Sequence, residues 1–239
     1  MARSDFIIFD ETRISDSPCV EQVWRCHSEG SGPFLAVACS HWELVVSNVR
    51  GATSITLHGG ELQAREVYCP PDGEWHAIRF RPGTYMPRFP AGKMMNGKDL
   101  DLPLASRRRF LLDGRKWEIP SFENAEVFVA RLVKAGMLAR DPVVEDVLAN
   151  DAGEMSLRTA QRRFQRAIGM TRARLRAIER ARLATILLRD GLAIADVVHE
   201  AGYFDQAHLT RSLRHHVGLT PREIARGTRQ LSFLYKTPP

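Results

Sequence analysis

No stretch of the 239 residues approaches 18 consecutive apolar side chains, which excludes a membrane-spanning helix. The opening residues, MARSDFIIFDE, carry acids where a secretion signal needs an apolar run, so the sequence predicts a cytoplasmic protein. Cysteine is sparse. The 4 present (Cys19, Cys26, Cys39 and Cys69) fall in the first third and read as reduced core thiols. With His27, His41, His58 and His76 they form no metal-binding spacing on a clear hairpin, and nothing beside Cys19 or Cys26 lowers a thiol pKa. There is no G-x-S-x-G, no phosphate-binding glycine loop and no H-E-x-x-H. These absences give no ground for an enzyme, a metal site or a cofactor.

Lysine is missing from one segment in particular. Ser156–Arg226 holds 14 arginines, no lysine and 6 acidic residues, about +8 in all, against a formal +6 for the whole chain. A basic module joined to a nearly neutral one is the asymmetry expected when one half meets a polyanion. Arginine offers a planar fork that fits phosphates and guanine edges.

The same segment contains a repeat. Ser156–Arg172, SLRTAQRRFQRAIGMTR, aligns at an offset of 49 with Asp205–Pro221, DQAHLTRSLRHHVGLTP: Ser156 falls on Asp205, Arg162 on Arg211, Phe164 on Leu213, Gly169 on Gly218 and Thr171 on Thr220. Each copy reads as a capped helix ended by glycine. In the first, Leu157, Ala160, Phe164 and Ile168 are placed inward, and Arg158, Gln161, Arg162 and Gln165 share the outer face. Those outer residues are the types that pair with guanine and adenine edges, while Arg163 and Arg166 flank them as phosphate ligands. In the second copy Leu209, Leu213 and Val217 point inward, and Ala207, His208, Arg211, Arg214 and His215 outward, with Arg214 a further phosphate ligand. Ile194–Ala201 and a Gly202 turn precede it, the helix-turn-helix pattern. Between the copies, Arg172–Arg189 forms one helix with Leu175, Ile178, Leu183 and Ile186 as its buried stripe. Its 18 residues would span ~27 Å.

The rest of the chain reads as an α+β protein in two parts: a mostly antiparallel β domain over residues 1–120, then an all-α domain over 121–239. Strand composition marks Phe6–Phe9, Phe34–Ala38, Glu43–Val49, Ser54–Leu57, Glu66–Cys69 and Ala77–Arg81, with turns at Gly59-Gly60, Pro70–Gly73 and Arg81–Thr84. Pro90–Asn96 suggests a short helix, Gly97–Leu104 a loop, and Arg107–Arg109 a solvated run of charge or a phosphate or interdomain contact. Phe122–Met137 is helical, capped by Ser121, with Phe122, Ala125, Val129, Leu132 and Val133 along one stripe; Val143–Ala149 is a short helix. Trp24, Trp42, Glu43, Trp75, His76 and Arg79 are the candidates for an effector pocket, weighed against a plain packed core.

IADVVHEAGYFDQAHLTRSLRHHVGLTP (residues 194–221) resembles the signature of the AraC/XylS transcription regulators, and Val143–Arg226 resembles their DNA-binding domain. Trp42–Val46 and Ile78–Gly83 resemble, more weakly, the β-rich domain of an AraC-type subgroup. The resemblance implies two helix-turn-helix units joined by a long helix. It also implies base reading by Arg158, Gln161 and Arg162 in the first unit and by Gln206, Ala207, Thr210 and Arg211 in the second. The partner would be double-stranded DNA, with RNA polymerase, a small-molecule effector and a second copy of the chain left open. Residues 150–155 depart from the pattern, being longer and more acidic than usual. A small-molecule-binding or enzymatic protein whose Arg-rich half meets RNA or an acidic partner is the alternative.

Overall fold

The structure, a computed structural model, describes residues 6–149, 155–227, 229 and 231. The first part is built of β1 (Ile7–Ile14), β2 (Val20–Ser28), β3 (Gly32–Ala36), β4 (Glu43–Val49), β5 (Ala52–His58), β6 (Arg65–Cys69) and β7 (Gly73–Phe80). The shorter β8 (Thr84–Tyr85), β9 (Leu100–Asp101), β10 (Leu104–Ser106), β11 (Arg109–Leu112) and β12 (Arg115–Glu118) complete it. Then come α1 (Ala125–Lys134), β13 (Ala139–Arg140), α2 (Val143–Ala149), α3 (Leu157–Ile168), α4 (Arg172–Arg189), α5 (Ile194–Glu200), α6 (Gln206–His216) and α7 (Pro221–Ala225). The class is α+β, as the sequence predicts.

An antiparallel six-stranded sheet, ordered β1-β2-β7-β4-β5-β9, forms the frame. Arg50 and Gly51 turn β4 into β5 at φ 51 and 78, and Asp113-Gly114 turns β11 into β12 at φ 52 and 72. Both turns place two successive residues at positive φ, which matches the right-handed twist of the strands. The Asp-Gly pair is the signal that would have revealed β11 and β12. Gly59 and Gly60, which the sequence places in a turn, do not adopt positive φ. Their need is space: a Cβ on Gly59 would lie 2.0 Å from the Met94 carbonyl oxygen, and one on Gly60 2.8 Å from that of Cys39.

One face of the sheet, with Leu44, Val46, Ile55, Leu57, Ile78 and Phe80, packs against Phe110, Leu112 and Trp117 of β11 and β12. Ala125, Phe128, Val129 and Leu132 of α1 enter the same core. A boundary at residue 120 therefore falls inside a single packing unit, and the helices that pack on one another begin at α2. Val133, expected on the buried stripe of α1, is 42% exposed.

Arg13 of β1 clamps α1. Its guanidinium pairs with Glu126, with one Nη donating to Oε2 at 2.8 Å and to the Phe122 carbonyl at 2.7 Å. Hydrogen bonding from Arg13 is the main cause that pulls the Glu126 carboxyl down to about 2, against the desolvation that opposes it. A depressed carboxyl stabilises the fold above its ordinary range, and that contribution is lost as pH falls from about 4.5 through about 2. The urea midpoint of Arg13→Ala should accordingly lie below that of the parent at pH 6 and converge on it toward pH 2. A gap independent of pH would show that the clamp works by packing alone.

The opposite face of the sheet looks across a cavity at the paired strands β3 and β6. The far side of β3 belongs to the helices: Leu35 and Val37 join Ala184, Leu188, Leu209, Leu213 and Val217 in one core. In α4 the buried residues are Leu175, Ile178, Ala181, Ala184, Thr185 and Leu188. Leu183, placed on the stripe by spacing, is 44% exposed.

Candidate nucleic-acid interface

Local chemistry forms α3 and α6. Ser156 Oγ accepts from the Thr159 amide at 3.3 Å to open α3, and Gly169 at φ 85 closes it. Ala160, Phe164, Ala167 and Ile168 are buried, in a core that takes Val144 and Val147 from α2 and Leu175 and Ile178 from α4. Arg158, Gln161, Arg162 and Gln165 are exposed on the other side. Leu157 shares the buried angle but is 75% exposed, in a first turn that no described residue covers.

The two flanking arginines, expected to reach phosphates, each have a partner within the chain. Arg163 donates two parallel hydrogen bonds to Asp141, Nε to Oδ2 at 2.9 Å and Nη2 to Oδ1 at 2.6 Å. Arg166 places its guanidinium 5.3 Å from the centre of the Tyr85 ring. Asp141 and Tyr85 are themselves joined, since β13 pairs with β8 and the Asp141 amide donates to Gly83 O at 2.8 Å. At the end of α3 the backbones nearly touch: a Cβ on Gly169 would meet the Gly92 nitrogen at 2.9 Å. The first unit is thus seated on the β domain. The irregular stretch noted in the sequence lies, apart from Met155, outside the described residues.

The second unit has a complete frame. After α5, Gly202 takes φ 68, and the Tyr203 amide donates to Val198 O at 2.8 Å. Tyr203 turns inward, its hydroxyl 3.0 Å from Ser212 Oγ and its ring 5.3 Å beneath the Arg180 guanidinium. Asp205 Oδ1 accepts from the His208 amide at 2.6 Å, and Leu209 and Leu213 are fully buried. Gln206, Ala207, Arg211 and Arg214 are exposed; Thr210 is half-buried, its hydroxyl donating to Gln206 O at 2.8 Å. Thr220 and Glu223 then form a reciprocal capping box for α7. Among the described residues Arg158, Arg162, Arg211 and Arg214 make no ion pair within 4.0 Å, although Glu223 lies close enough to Arg214 for its carboxyl to feel that charge.

The cavity of about 340 Å³ beneath β3 and β6 contains three of the six residues named for an effector pocket: Trp24, Glu43 and Trp75. Trp42 lies on the other face, stacked 3.9 Å from Phe80, with Nε1 donating to Thr84 O at 2.8 Å. His76 is also on that face, donating from Nε2 to Pro120 O at 2.9 Å, and burial lowers its pKa. The period of two along β7 separates Trp75 from His76. Arg79 sits behind the cavity wall, its Nε donating to Glu43 Oε1 at 2.9 Å. Sequence reasoning missed Phe34 and Val67, which line the cavity from β3 and β6. It also missed the seam beyond them: the Ala38 amide donates to His216 O at 2.8 Å, the Ala64 amide to His215 O at 3.0 Å, and His216 Nδ1 to Leu62 O at 3.2 Å.

Two capped helices packed against the two ends of a long third, each presenting exposed arginines, form a paired helix-turn-helix arrangement. Residues 148–227 match the family described as "Helix-turn-helix domain". No curated protein matches the chain. Two solved structures of ToxT from Vibrio cholerae are similar to it. One has 12% identity and a TM-score of 0.39, covering 93% of this chain and 98% of that one. The other has 11% identity and a TM-score of 0.40, covering 92% and 97%. No described helix is long and apolar enough to cross a membrane.

Proposed function

We propose that α3 and α6 enter successive major grooves of one duplex, with Arg158, Gln161 and Arg162 reading bases in the first and Gln206, Ala207, Thr210 and Arg211 in the second. The observation that carries this is the pair of exposed, arginine-bearing surfaces at the two ends of α4. At ~27 Å, that helix suits grooves that recur about every 34 Å on one side of B-DNA. Arg211→Ala should lose roughly 1–3 kcal/mol of discrimination between the preferred duplex and a random one. Anisotropy titration measures it, and equal losses on both duplexes would remove the base-reading role.

Phosphate anchoring separates the flanking arginines. Each phosphate neutralised contributes about 0.9 to the slope of log K against log salt. Arg214→Ala should reduce that slope by about 0.9. Arg163→Ala should leave it unchanged, because Asp141 holds the guanidinium. A drop in slope for Arg163→Ala would mean that DNA draws it away from Asp141.

The cavity supports an effector role for the β domain. Its aromatic and apolar walls, with His41, Glu43, His58, Glu61 and Arg65 as polar groups, suit a small, mostly apolar molecule bearing a polar group. A ligand there would press on β3 and β6, the strands whose ends are sewn to His215 and His216. A compound that quenches tryptophan fluorescence on binding should therefore alter DNA affinity; binding with no change in affinity would make the cavity inert for regulation.

A further inference from the structure

Among the described residues the two most exposed large apolar side chains are Phe204, at 90%, and Leu157, at 75%. Scattered apolar exposure is ordinary on a protein surface, but these two each adjoin the N-cap of a helix. Leu157 is the first residue of α3, and Phe204 immediately precedes Asp205, the cap of α6. Both therefore stand at the leading ends of the two reading helices, the part of such a helix that meets base edges.

Phe204 has an obvious internal use that it does not take. An apolar residue just before a helix cap often folds back on the fourth helical residue and fixes the chain's approach. Here that residue is Leu209, which is fully buried while Phe204 stays out. The projection is held on both sides: Tyr203 is buried and bonded to Ser212, and Asp205 is fixed by the His208 amide. Ala207 follows at a spacing of three, next to the exposed Arg211 one turn further on. The surface thus passes from apolar at the helix tip to cationic one turn along it.

We infer that Phe204 and Leu157 are specificity residues that seat against the 5-methyl groups of thymines, one in each groove. The thymine methyl is the apolar feature by which a side chain of this kind distinguishes bases in the major groove. Arg211 then reads a guanine beside the methyl that Phe204 covers, and Arg158 and Gln161 read bases beside the one that Leu157 covers. This inference rests on the proposal that α3 and α6 enter the major groove.

The test uses the full chain and the duplex it prefers after selection from a random pool. Each thymine in that duplex is replaced in turn by deoxyuridine, which deletes only the methyl. In the parent protein one thymine per groove should cost about fourfold in affinity, the factor for burying one methylene-sized group. In Phe204→Ala the cost should vanish at one of these thymines, in Leu157→Ala at the other, and Phe204→Leu should retain part of it. Both side chains are mostly exposed, so an unchanged melting temperature should accompany each change. Identical methyl costs in parent and variants would overturn the inference while specific binding stands. Failure to recover any preferred duplex would instead overturn the groove-reading proposal and take the inference with it.

Discussion

Arg79→Ala is expected to destabilise the protein by about 3–5 kcal/mol, read as a shift in the urea midpoint. Arg79 and Glu43 are 5% and 4% exposed, on neighbouring strands β7 and β4 in direct register. Glu43 Oε1 accepts from Arg79 Nε at 2.9 Å and from Trp24 Nε1 at 3.1 Å. Alanine at 79 leaves the carboxylate buried with its main counter-charge gone, which is the costly half of any buried pair. Replacing both members with apolar side chains of similar size removes that cost, so Arg79→Met with Glu43→Leu should recover most of the loss. A single change costing under about 1 kcal/mol would show that water reaches Glu43 through the cavity.

Phe164→Ala should cost about 3–5 kcal/mol, the range for truncating a buried aromatic. Phe164 is 1% exposed, in a core that combines α2, α3 and α4 with Ala38 and Met95 of the β half. All 4 tryptophans lie at or before residue 117, so their fluorescence reports on the β half alone. Because the cores run across both halves, tryptophan fluorescence and helical circular dichroism should fall together, in one transition shifted to lower urea. If the helical signal falls first and fluorescence keeps its parent midpoint, the halves unfold separately and the shared core is not cooperative.

What the sequence makes legible follows the range of the interactions. Helix caps are local, and Ser156, Thr171, Asp205 and Thr220 each accept the hydrogen bond that their spacing predicts. Strand β4 runs over Glu43–Val49 as read, and the inward set Leu209, Leu213 and Val217 is buried. By contrast β2 escaped notice, because it lies between β1 and β7 with Val20, Val23, Trp24 and Cys26 all buried. A strand covered on both faces loses the alternation that marks a half-exposed one. The pocket was half legible. Trp42 and His76 have the right chemistry but lie on the other side of the sheet, and only the placement of β3 and β6 decides which side encloses a space. Arg163 illustrates the same limit on the helical side. Helical angle puts it beside the reading face, while its partner Asp141 arrives through the ladder between β8 and β13.

The seam from Ala38 and Ala64 to the end of α6 bears on how such regulators can be recombined. Leu35 and Val37 share a core with Leu213 and Val217, so the helical half is not expected to transfer as a self-contained cassette. Cut free, it would show water an apolar strip and two unpartnered carbonyls. A chimera that grafts it onto another sensory domain should aggregate unless the graft brings β3 and β6 along, or replaces that strip with polar side chains.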